Sequence, residues 1–122
     1  MKKPVFFNVF RIQMPVGAVT SITHRVTGVL LAVGIPLGIY LFSTSLDGPE
    51  GYARVGAFFD AFAVRCAAVV FAWALAHHLL AGLRHMLGDV DIGSRLAPAR
   101  RSAWAVNLLA VLIAALAAAV WL

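Results

Sequence analysis

Charge is what this sequence has least of. Asp, Glu, Lys and Arg make up 12% of its 122 residues, about half the ~25% of an average soluble domain. That is too little polar surface for a soluble globular protein of this size. Acidic side chains are the scarcest: five, against ten Lys and Arg, for a net charge of +5. The resulting pI near 10.4 does not make a nucleic-acid binder, because such proteins gather Lys and Arg on one solvated face. Cysteine is nearly missing. Cys66 stands alone inside an apolar run, which excludes a disulfide scaffold and a Cys-x-x-Cys redox pair. There is no phosphate-binding glycine loop and no metalloprotease pattern.

Apolar residues are what the chain has, 62% of it, with a mean hydropathy of +0.92. This is the composition of a small integral membrane protein. A spanning helix needs roughly 20 apolar residues. Three stretches qualify, over about 26–46, 62–87 and 103–122. They predict an all-α chain with one transmembrane domain over 1–122. The first run starts after residue 25 and precedes no small-x-small cleavage site, so it reads as a span of the mature protein and not as a secretory signal. No Arg/Ser-rich transit segment precedes it.

Positive charge predicts the orientation. Eight of the ten cations flank one side: Lys2, Lys3, Arg11 and Arg25 before span one, and Arg84, Arg95, Arg100 and Arg101 between spans two and three. That side, with the N-terminus, is expected to be cytoplasmic, and the C-terminus periplasmic. The first loop holds Arg54 and Arg65 against Asp47, Glu50 and Asp60, for a net −1. It opens on a turn signal, Asp47-Gly48-Pro49. Residues 1–20 carry Phe6, Phe7, Phe10, Ile12 and Met14 among cations. They read as an interfacial segment, a docking surface for a soluble partner, or a plain topology-setting flank. Span three has small residues over 110–119 for close packing and offers no chemistry.

Ionisable residues in or beside a span point to function. All four histidines lie there. His24 opens span one, and His77, His78 and His85 fall late in span two. His78, Gly82 and His85 share one helical face. A glycine one turn from His78 leaves open space beside the imidazole, enough for a flat macrocycle. His85 would lie near headgroup depth, where it could meet an anionic group such as a haem propionate. The competing reading is a buried histidine bonded to a neighbouring helix. His77 sits about 100° round from His78 and lacks the glycine.

The second cluster is Ser21-Ile-Thr-His24-Arg25-Val-Thr27-Gly28. Its plain reading is a capped helix start with Arg25 snorkelling to the interface. Together the clusters bring Ser, Thr, three His and two Arg to one membrane level. Such a set could hold a quinone head group or haem propionates, with Arg as a fixed charge and Ser as a neutral donor. The absence of Cys-x-x-Cys-His argues against covalent haem. A b-type haem on His78 remains, with its second ligand from His24 or, the favoured reading, from another chain. Asp89 and Asp91 read as a solvated loop, with proton uptake through Asp89 as the alternative. Ser21 with His24 is no hydrolytic dyad, because a third group and an oxyanion site are missing.

At these residues the chain resembles the cytochrome b membrane-anchor subunit of succinate dehydrogenase. The first cluster is similar to that family's Ser-x-x-His-Arg-x-Ser/Thr-Gly. His78-Leu-Leu-Ala-Gly82-Leu-Arg84-His85-Met-Leu-Gly-Asp89 is similar to its His-x-x-x-Gly-x-Arg-His-x-x-x-Asp. The likeness covers nearly the whole chain. It implies a three-helix anchor that pairs with a second anchor subunit into a helical bundle. It implies haem b with His78 as axial ligand, the other axial histidine coming from the second anchor. Ser21 and Arg25 would line the ubiquinone site, and His24, Arg25, Arg84 and His85 would lie at or near the propionates. A flavoprotein and an iron–sulfur subunit would dock on the cytoplasmic face of a bacterial inner membrane. The chain departs from the pattern at Lys3-Pro4, where the family commonly shows Arg-Pro, and at Gly88, which stands where a bulky residue often precedes the aspartate. Three other readings compete: the anchor of a fumarate reductase, a haem-free structural anchor, and a small transporter or proton channel.

Overall fold

The computed structural model describes residues 14–122. Residues 1–13, most of the expected interfacial segment, lie outside it. The described residues form four helices: α1 Val16–Ser45, α2 Pro49–Asp60, α3 Phe62–Asp89 and α4 Leu96–Trp121. Three of them, α1, α3 and α4, are long and apolar enough to cross a membrane. Among the described residues there are helices and no strand, as a membrane demands of backbone that has no water to bond.

The three apolar runs fall on α1, α3 and α4, but the helices outrun them. α1 starts ten residues before the run at 26 and α4 seven before the run at 103. Hydropathy ends where charge begins, whereas a helix ends only where its backbone geometry changes. For α1 that point is Pro15, whose extended conformation caps the helix. At 30 residues α1 is roughly 45 Å long, against ~30 Å of hydrocarbon. The clusters that carry chemistry therefore ride on continuous helix.

The Asp47-Gly48-Pro49 turn is present. Gly48 takes φ 100°, a conformation natural only to glycine. The turn leads directly into a helix, α2, with Pro49 at its first position and Glu50 in its first turn. Gly51 lets α2 close on α1, because a Cβ there would collide with the Thr44 carbonyl. Ala61 alone makes the corner into α3, capping both helices in extended geometry. At the other end of α3, Ile92 N–H bonds the Leu87 carbonyl at 2.9 Å and Asp91 N–H bonds that of Gly88 at 3.0 Å. Asp91 takes the left-handed conformation, φ 59°, that this C-terminal motif requires.

The core is narrow and made of small residues. Ala74 and Ala81 on α3 meet Ala103, Val106 and Ala110 on α4, and all are buried. Alanines let the two backbones approach, and α3 packs more extensively on α4 than any other pair does. α1 joins through Leu31 and through Gly34, whose missing side chain is replaced by the Phe71 ring. Large apolar side chains such as Val33, Ile39, Phe42, Leu116 and Val120 point outward. A surface this apolar belongs against lipid or protein.

Candidate functional site

The site lies where α1 crosses α3. Thr20, Thr27 and Leu31 are buried on α1, and His24 falls on that same stripe. His24 and His78 stack ring on ring, with centroids 4.1 Å apart and planes 13° from parallel. Each ring rests on the other helix's glycine. A Cβ on Gly28 would stand 3.1 Å from His78 Cε1, and one on Gly82 would stand 3.6 Å from His24 Nε2. The space that Gly82 opens is thus next to His24.

His78 Nδ1 lies 3.1 Å from the His24 carbonyl oxygen. A carbonyl only accepts, so Nδ1 carries the proton. Thr27 Oγ1 stands 3.3 Å from the same nitrogen and donates its own proton to the His24 carbonyl at 2.9 Å. The tautomer so fixed leaves Nε2 with a free lone pair, the form in which imidazole binds a metal. The His24 and His78 rings lie side by side in this stack and do not face each other across a gap, an arrangement that favours one iron-binding histidine from this chain over two.

His77 turns the other way. It is 1% exposed, and its Nε2 lies 3.0 Å from Asn107 Oδ1 on α4. Thr20, also 1% exposed, reaches the same oxygen at 3.2 Å. One amide therefore ties α1, α3 and α4 together. His77 Nδ1 is buried with no hydrogen-bond partner.

The remaining candidates separate. Ser21 and Arg25 are exposed, one turn apart on α1, and His85 and Asp89 are exposed on α3. Arg84 is half-buried and reaches α4, donating from Nε to Ser102 Oγ at 2.9 Å and from Nη2 to the Ala99 carbonyl at 3.1 Å. A cavity of about 600 Å³ between α3, α4 and their connection is lined by Arg84, His85, Asp89 and Ser102 among apolar residues. None of Ser21, His24, Arg25 and His78 lines it.

Residues 1–118 match a family model described as the succinate dehydrogenase/fumarate reductase transmembrane subunit. The chain belongs to this family. It is 32% identical over 104 residues to the succinate dehydrogenase cytochrome b556 subunit of Paracoccus denitrificans, covering 85% of this chain and 80% of that one. It is 28% identical over 122 residues to the protein of the same name from Coxiella burnetii (strain RSA 493 / Nine Mile phase I), covering 99% and 97%. As a succinate dehydrogenase/fumarate reductase transmembrane subunit, it is a multi-pass membrane protein of an oxidoreductase complex.

Two of this family member's polar residues, Asn107 and Thr20, escaped sequence reasoning. Asn107 is a polar residue in span three, which was expected to offer no chemistry. Its signal was its type: an amide in an apolar run needs a partner. Thr20 sits seven residues before Thr27 on the buried α1 stripe, but threonine is common enough in membrane helices to pass as filler.

Proposed function

We propose that this chain is the cytochrome b anchor of a succinate:quinone oxidoreductase. It anchors the complex, holds one haem b through His78 and forms part of the ubiquinone site with Ser21 and Arg25. The observation that carries the reading is the His78 ring. Its Nδ1 proton is held by the His24 carbonyl, and its Nε2 lone pair is left free for iron. The cytochrome b556 name of both relatives points to the same group. When bound, haem b supplies one-electron chemistry.

The chain's own residues bind and orient. The His24–His78 stack supports the reading in which His78 alone would hold the haem iron from this chain, the second histidine coming from a second anchor subunit. His24, Arg25 and His85 supply donors for the propionates. Arg84 joins them with the N–H groups its two bonds to α4 leave over, three of five. Ser21 offers a hydroxyl and Arg25 a permanent charge to a quinone carbonyl. Their exposure suits a ligand that arrives from outside this chain. Asp89, exposed at the end of α3, is the candidate for proton uptake.

The flavoprotein and iron–sulfur subunits dock on the side that carries most of the cations, the cytoplasmic face of a bacterial inner membrane. The N-terminus lies on that face and the C-terminus in the periplasm. Succinate chemistry takes place in those subunits. The family description spans both directions of the reaction, and the succinate dehydrogenase relatives favour succinate oxidation.

The test is a reduced-minus-oxidised visible spectrum of the purified complex, wild type beside His78→Leu. A b-type signal lost or altered in the variant supports the reading. An unchanged signal moves the ligand elsewhere. No signal in wild type leaves a haem-free anchor.

A further inference from the structure

We propose that Thr27 is a positioning residue for His78, holding the ring's proton on Nδ1 and the ring plane in place. This rests on the reading of His78 as a haem ligand. Thr27 is 0% exposed, and a hydroxyl buried that deeply must be bonded. Its proton goes to the His24 carbonyl at 2.9 Å. That back-bond is ordinary helix behaviour and would by itself give Thr27 a structural role only. The second contact is not local. The same oxygen stands 3.3 Å from His78 Nδ1, 51 residues away on another helix.

Two acceptors, the His24 carbonyl and the Thr27 hydroxyl, therefore surround one ring N–H. Turning the ring over would put carbon against both and lose the bond. Gly28 permits the approach, since its absent Cβ would stand 3.1 Å from His78 Cε1. Thr27, His24 and Gly28 thus form one receptor for the back edge of the imidazole, and Nε2 is presented at the front. Acceptors on the far nitrogen make the ligating nitrogen a stronger donor and fix its direction. Thr27 acts through His78 and touches no ligand itself.

The experiment uses the intact complex carrying Thr27→Val, Thr27→Ser or Thr27→Ala. The readouts are the haem midpoint potential and its low-spin electron paramagnetic resonance, at matched haem per complex. Valine keeps the branched shape without the hydroxyl. The Val variant is expected to retain haem with both readouts shifted, and the Ser variant to restore the wild-type values. A purely structural threonine would alter thermal stability and leave both readouts alone, so wild-type values in Thr27→Val overturn the proposal. If the Val variant does not accumulate, Thr27→Ala is read by the same criterion. A wild-type spectrum in His78→Leu would remove the ligand reading itself, and this proposal with it. Unshifted Thr27→Val beside a bleached His78→Leu would remove this proposal alone.

Discussion

Gly28 and His78 meet closely enough that a methyl group between them would be tight: a Cβ on the glycine would stand 3.1 Å from His78 Cε1. Gly82 and His24 repeat the relationship in the opposite direction, with the looser distance of 3.6 Å. The α1–α3 crossing is built from two such His–Gly pairs.

The asymmetry of the two pairs gives the first prediction. Gly28→Ala pushes on the His78 ring and is expected to lower haem content per complex about twofold or more. Gly82→Ala meets only ordinary van der Waals contact and should leave it near wild type. Valine at 28 should abolish it. Haem-to-flavin ratios of the purified complexes check the order, and equal losses at both positions would refute it.

A second prediction concerns the amide that ties three helices. His77→Leu or Asn107→Leu leaves the remaining buried polar group with a partner missing, a cost of roughly 1–3 kcal/mol. Bonds between membrane helices average nearer ~0.6 kcal/mol, so the lower end is expected. The double variant should recover part of the loss, because the pair leaves together. Thermal inactivation of the complex measures this. The haem spectrum should survive in His77→Leu, in contrast to His78→Leu.

The two arginines of the motifs should separate by phenotype. Arg25 is exposed, so Arg25→Ala, like Ser21→Ala, is expected to impair succinate-dependent quinone reduction while the complex assembles. Arg84 holds the start of α4 through Ser102 and the Ala99 carbonyl. Arg84→Ala should lower thermal stability by about 1.5–3 kcal/mol, the range for bonds from a charged donor. Lysine should restore it only in part, because an ammonium does not reproduce the fork. Normal quinone kinetics in both Ser21→Ala and Arg25→Ala would remove those residues from the quinone site.

How much of this was legible in the sequence depended on range. The three spanning helices were, because a membrane leaves an apolar run of that length little choice. Gly82 beside His78 was legible too, since residues four apart share a helical face. What fills the space over that glycine was not. The occupant, His24, comes from another helix, and spacing within α3 says nothing of it. The same holds for Arg84, whose partners on α4 lie across a turn. α2 was missed although Pro49 and Glu50 signalled a helix start, because a short amphipathic segment between spans resembles a loop in composition. Asn107 was overlooked by weighing only ionisable groups inside the spans.

Among the described residues the buried interior amounts to four alanines, a valine, a leucine, a glycine, two threonines and one histidine. Little of its cohesion is its own. In a bilayer the apolar flanks are satisfied by lipid tails, so what a lone copy leaves unmet are exposed polar side chains such as those of Ser21, Arg25 and His85. Close packing and polar contacts, and not the burial of apolar surface, are then what would hold a companion subunit against this chain.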